Sequence, residues 1–236
     1  KDMPVAQVKQ LWPWFSASPA RRWVMEKLFG GTVREGRLNF SVLPGRLGNG
    51  IPLTENEVFG SFSVAGTRFD TAGLIPPVRD AVGVVDFRGN DVDVTLDAGT
   101  VFLADGRTVA ASNGRMKIAD ANRPPVIGRL EIDVAGDAPA IAELASYDPI
   151  NALRSIGYEP GDFSGAVEGH VSADIPLQRG INPDTLNWLV TLDYKNLALA
   201  RPVDGQTISE AEGTIAIDPQ KAVISARTKL SGVAAE

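Results

Sequence analysis

Apolar and polar residues alternate with a period of two through most of this chain, which predicts strands with one dry and one wet face. The longest run sets Phe163, Gly165, Val167, Gly169, Val171, Ala173, Ile175 and Leu177 against Ser164, Glu168, His170, Ser172 and Asp174. The pattern recurs in Val92, Val94 and Leu96 against Asp91, Asp93 and Asp97. It recurs again in Val126, Gly128, Leu130, Ile132 and Val134 against Arg129, Glu131 and Asp133, and in Leu186, Trp188, Val190, Leu192 and Tyr194. Residues 38–42, 58–64, 208–217 and 222–230 alternate in the same way, the second through Phe62 and Val64.

The connections carry turn chemistry. Ala104-Asp105-Gly106-Arg107 has the Asp-Gly signature of a tight hairpin, and Ile217-Asp218-Pro219-Gln220-Lys221 reads as another short turn. Gaps this short exclude the crossovers that parallel strands need, so successive strands are expected to pair antiparallel. Two helical stretches interrupt the pattern. In the first, Ser18-Pro19 caps a helix over residues 20–29, stopped by Gly30-Gly31. The second begins near Asp137, restarts at Asp148-Pro149 and ends at Gly157, with Ile141, Leu144, Ile150, Leu153 and Ile156 as its apolar stripe. This helix pair is expected to lie on the dry face of the sheet. The expected organisation is an N-terminal segment with a short helix over 1–31, then a mainly β segment over 32–236 with a helical insertion at 138–157.

Composition narrows the function. The 236 residues hold 23 basic and 29 acidic side chains, a formal charge of −6, with no basic run, which speaks against a nucleic-acid grip. With no Cys, thiolate catalysis and Cys-ligated metal centres are excluded, and any His-based chemistry hangs on His170. No stretch of about 18 or more apolar residues offers a membrane-spanning helix. The last readable strand runs almost to Glu236 without a closing element, so the chain is read as a piece of a longer protein whose anchor or targeting signal lies outside it.

The candidate chemistry is thin. His170 shares a strand face with Glu168 and Ser172, which allows a base with its orienting acid. A solvated polar face explains the same pattern, and there is no Gly-x-Ser-x-Gly nucleophile elbow. Asp91, Asp93 and Asp97, or Glu131 with Asp133, suggest calcium ligands or a glycosidase pair, but alternation alone produces such faces. Gly48-Asn49-Gly50 is a turn, and no phosphate-cradling glycine motif occurs. We therefore expect no enzyme, cofactor or metal. What remains is the apolar faces, read either as closed core or as a trough for acyl chains. Gly60, Gly66, Gly128, Gly165 and Gly169 share them, and interior strand glycines mark bends or close approaches.

Several segments resemble a known family. Leu11-Trp12-Pro13-Trp14, Ala20-Arg21-Arg22-Trp23-Val24 and Leu28-Phe29-Gly30-Gly31-Thr32-Val33-Arg34-Glu35-Gly36 resemble the opening of YhdP-type proteins of the AsmA-like superfamily in Gram-negative bacteria. Gly73-Leu74-Ile75-Pro76-Pro77-Val78, leading into Gly83-Val84-Val85-Asp86-Phe87-Arg88-Gly89-Asn90-Asp91-Val92, is similar too. So are Ile175-Pro176-Leu177, Leu192-Asp193-Tyr194-Lys195-Asn196-Leu197 and Ala211-Glu212-Gly213-Thr214-Ile215. The resemblance covers most of the chain in short motifs. It implies a long antiparallel sheet curved into a hydrophobic groove, in a periplasmic protein anchored to the inner membrane, that carries phospholipids between the inner and outer membranes. The partners implied are phospholipid acyl chains, the membrane through a part of the parent, and envelope proteins. Alternation alone supplies the expected lining: Phe62, Val64, Val92, Val94, Leu96, Leu130, Ile132, Val134, Val167, Val171, Ile175, Trp188, Val190 and Leu192. The alternative is a structural or assembly module of the envelope, a closed β-sandwich binding protein partners.

Overall fold

The computed structural model describes residues 2–11, 24–47, 50–71, 73–148, 150–153, 157–177 and 186–235. Its strands are β1 (Met3–Pro4), β2 (Leu28–Phe29), β3 (Thr32–Phe40), β4 (Val58–Phe69), β5 (Val78–Arg88), β6 (Asp91–Phe102) and β7 (Thr108–Ile118). They continue as β8 (Ile127–Asp137), β9 (Phe163–Pro176), β10 (Asn187–Leu199), β11 (Ile208–Ile217), β12 (Ala222–Leu230) and β13 (Val233–Ala235). All pair antiparallel in one sheet, each strand from β3 to β13 beside the next, with β1 outside β3 and β2 on the end of β4. The sheet is curved and does not close.

The turns behave as their residues dictate. At 103–107, Leu103 N–H donates to the Arg107 carbonyl at 2.9 Å, while Asp105 Oδ1 accepts from Arg107 N–H at 3.0 Å. In the 217–221 turn, Asp218 Oδ1 accepts from the amides of Gln220 and Lys221.

The helices depart from expectation. Of the stretch 20–29, residues 20–23 and the Ser18-Pro19 cap lie outside the described residues, 24–27 are helical, and Leu28–Phe29 is strand β2, paired with Phe69 and Arg68. Tertiary pairing overrides local helical pattern there. An unforeseen helix α1 (Val5–Leu11) carries Val5, Val8 and Leu11 at helical spacing and buries Val5. The second stretch supplies α2 (Ala138–Ser146), capped by Asp137, whose carboxylate accepts from Ala140 N–H at 2.9 Å. Beyond it the chain turns tightly, with Ile150 and Asn151 amides both on the Tyr147 carbonyl. Residues 149 and 154–156 of the expected second helix lie outside the described residues.

Helix α2 lies across one end of the central strands. Its Ala138, Ala140 and Ile141 join Val78, Ala81, Leu96, Val101, Leu103, Val109, Ala111, Val167, Tyr194 and Ala211 in the core. Most of these come from the strand ends nearest the helix, so the core occupies one end of the sheet.

A recurring device shapes that end. Dry-face residues normally fall two apart, but on seven strands one step is three: Val33 to Gly36, Val64 to Thr67, Val78 to Ala81, Leu96 to Gly99, Ala111 to Gly114, Tyr194 to Leu197 and Ile208 to Ala211. Each is a β-bulge, with the extra residue often left-handed, as at Gly66, Asp80, Asn113, Asn196 and Glu210. Strands β8 and β9, which α2 connects, pair in unbroken register.

At the other end, the run expected over 38–42 stops at Phe40, where the chain enters the loop 41–57. Arg46 organises that loop. Its guanidinium donates to Glu57 Oε1 and Oε2 at 2.7 and 2.9 Å and to the carbonyls of Ile51 and Pro52. Glu57 also accepts from Thr54 N–H at 2.8 Å, and this bond, then Arg46, holds its carboxyl below the usual carboxylate range. A depressed carboxylate stabilises the fold above its unfolded value and stops doing so as pH falls through its folded value. Amide-exchange protection of the loop is therefore expected to hold at neutral pH and fade in acid, and Glu57→Gln is expected to lower it already at neutral pH. Unchanged protection in Glu57→Gln would show that the loop does not depend on this clamp.

Candidate apolar binding face

Directly opposed residues on antiparallel strands point to the same face, so the register identifies what lines each side. Phe62 and Val64 on β4 oppose Val85 and Gly83 on β5, which oppose Val94 and Leu96 on β6. Val92, Val94 and Leu96 in turn oppose Ile118, Met116 and Gly114 on β7, and Met116 opposes Leu130 on β8. Gly128, Leu130, Ile132, Val134 and Gly136 oppose Ile175, Ala173, Val171, Gly169 and Val167 on β9. Trp188, Val190 and Leu192 on β10 oppose Ala173, Val171 and Gly169. All fourteen expected lining residues thus lie on one face of one sheet.

Their environments differ. Leu96 and Val167 are buried in the core near α2, and the other twelve are only partly buried. Beyond the helix the face is an apolar band crossing ten strands, β3 to β12, which at about 4.8 Å per strand spacing is roughly 45 Å long. The band is wider than the expected lining: Val85, Phe87, Met116, Ile118, Ile215 and Ile217 belong to it by register. On β5 and β7 a single bulge breaks the period, while β11, read as alternating over 208–217, changes phase between Ile208 and Ala211.

The glycines on this face do not leave empty space. A Cβ on Gly60 would sit 2.7 Å from the Phe87 ring, and one on Gly169 would sit 2.7 Å from Leu192 Cδ2 and 3.1 Å from Val134 Cγ2. Larger neighbours lean over the glycines and fill the gaps, and Phe62 stacks with Phe87 at 6.1 Å between ring centroids. The band is therefore a smooth floor. Gly66 and Gly165 are different, since both have positive φ, Gly66 within the β4 bulge.

The opposite face is mostly polar and paired across strands, with Leu189 and Val223 as exposed apolar residues on it. His170 Nδ1 shares a 2.7 Å hydrogen bond with Asp133 Oδ1 on β8, and Asn113 Nδ2 donates to Asp133 Oδ2 at 2.9 Å. His170, then Asn113, hold the Asp133 carboxyl below its usual range. The acid beside His170 is thus Asp133 from the next strand rather than Glu168, and both partners are exposed on open sheet. Arg115 Nε donates to Asp93 at 3.1 Å, and Asp91 Oδ1 accepts from Asp120 N–H at 2.9 Å. Among the described residues, no group of three or more His, Cys, Asp or Glu side chains is placed to hold a metal ion. Nor is any described helix long and apolar enough to cross a membrane. Chemically, the apolar face can shelter alkyl chains and the polar face can meet water. No family model, curated protein or solved structure matches the chain.

Proposed function

We propose that this chain is a segment of a periplasmic AsmA-like lipid carrier that moves phospholipids between the inner and outer membranes, with acyl chains lying on the apolar band. The observation that carries the reading is an unclosed sheet whose dry face runs without a polar break through register-matched strands and stays partly exposed beyond α2. Water contact with such a face is unfavourable, and an alkyl chain laid on it gains about 0.8 kcal/mol per buried methylene. A floor of Val, Leu, Ile and Phe with its glycines filled in offers neighbouring positions of similar energy, so a chain can slide. The headgroup stays in water at the band's margin. The reading assigns no catalytic step, and α2 would act as a wall along one side of the band.

Photocrosslinking with a phospholipid carrying a diazirine near its acyl terminus tests this. Adducts are expected on band residues such as Val92, Val94, Trp188 and Val190, with none on the His170 face. Native mass spectrometry of the purified chain is expected to show bound phospholipid. Bare protein and no band adducts would reject the carrier reading in favour of a face covered by a protein partner.

A further inference from the structure

At the end of the band farthest from α2, five large apolar side chains cluster within fourteen residues: Leu38 and Phe40 on β3, and Leu43, Leu47 and Ile51 on the following loop. Each is at least 50% exposed. Leu38 and Phe40 oppose Gly60 and Val58, which puts them on the same face as the band. The loop beyond them has two properties that suit one kind of surface.

The first is charge. From Ser41 to Thr54 the only ionisable residue is Arg46, and its guanidinium is turned into the loop onto Glu57. Leu43, Leu47 and Ile51 therefore face outward with no exposed charge until Glu55 at the loop's far end, whereas a protein-docking patch normally carries a polar, charged rim. The second is backbone satisfaction. Lipid admits irregular backbone only where its polar groups find partners, and here Arg46 takes the carbonyls of Ile51 and Pro52 while its own amide donates to the Leu43 carbonyl. Asn90 Nδ2 further takes the Leu53 carbonyl at 3.1 Å. The same side chain that meets Glu57 thus also satisfies part of the loop's irregular backbone.

We propose that this corner docks on a phospholipid bilayer, inserting Leu43, Leu47 and Ile51 below the headgroups so that lipid passes over Leu38 and Phe40 onto the band. The proposal rests on the carrier reading and supplies its point of contact with the membrane. A formal charge of −6 gives no general attraction to anionic lipid, so docking is hydrophobic and insensitive to salt.

The chain contains no cysteine, so a Leu47→Cys variant takes an environment-sensitive dye at one position. Added phosphatidylcholine vesicles are expected to shift that dye to the blue, equally in low and high salt, and to leave a dye at Val233→Cys on the opposite edge unchanged. Leu43→Glu with Leu47→Glu, both at exposed positions, is expected to keep the far-ultraviolet circular dichroism and to weaken vesicle flotation by more than about tenfold. Unshifted dye, flotation unchanged in the double variant, binding confined to anionic vesicles and abolished by salt, or self-association through this corner would each overturn the proposal. Band adducts without docking overturn the docking alone, whereas docking without band adducts overturns the carrier reading.

Discussion

A Val171→Asp substitution is expected to abolish acyl-chain crosslinking to the band while the sheet stays folded, and a Val109→Asp substitution is expected to unfold the protein. Both valines lie on the dry face by register, yet Val109 is fully buried near α2 and Val171 sits partly exposed between Ile132 and Val190. A carboxylate at position 109 has neither water nor a partner, a loss of at least about 4 kcal/mol against a typical total stability of about 5–15 kcal/mol. At position 171 it can reach solvent from an uncovered face, and about 1–2 kcal/mol is expected. Chemical denaturation of both variants, read beside crosslinking yield, checks the contrast. Global unfolding of Val171→Asp would mean that the face is closed core, and unimpaired crosslinking would mean that acyl chains do not run there.

The second large effect comes from one methyl group. In Gly83→Ala, the new Cβ would stand 2.1 Å from the Thr95 carbonyl oxygen, 3.1 Å from its carbonyl carbon and 3.3 Å from Leu96 Cα. All three are backbone atoms of the neighbouring strand, and no rotamer relieves them. The strands must separate or slip, at an expected cost of about 3 kcal/mol or more. Gly128→Ala is the control, because its nearest neighbours, Leu177 Cδ1 and Met116 Sδ, lie at an ordinary 3.4 Å, and its cost is expected to stay below about 1 kcal/mol. Equal denaturation midpoints for the two variants would contradict the close approach of β5 and β6.

Much of the sheet was legible because strand alternation is a local signal. The fourteen lining residues came from runs such as Val126 to Val134 and Phe163 to Leu177, and all of them fall on one face. The antiparallel order followed from turns too short for crossovers. Other features depend on contacts distant in sequence. Leu28–Phe29 leaves the expected helix because Phe69 and Arg68 offer a ladder, and His170 finds Asp133 because β8 and β9 are in register. The glycines show the same limit: alternation puts Gly60, Gly128 and Gly169 on the apolar face, but not Phe87 or Leu192 over them, and Gly66 is the extra residue of a bulge rather than a dry-face position. The docking corner also escaped sequence reading. Leu43, Leu47 and Ile51 follow no strand or helix period, and only the inward turn of Arg46 shows that they face out without a charge among them.

The three-residue steps have a consequence for how this chain tolerates length changes. Each extra residue acts like a frameshift in a two-letter code, exchanging the meanings of odd and even positions for the rest of its strand. Losing Asn113 would remove the extra residue and restore a strict period of two, so that Val109, Ala111, Gly114, Met116 and Ile118 all stay on the dry face and only the bulge is lost. Seven strands carry such a step, while β8 and β9 carry none. A deletion at one of these steps can therefore be absorbed by straightening the bulge, whereas a single deletion within β8 or β9 turns every side chain beyond it to the other face.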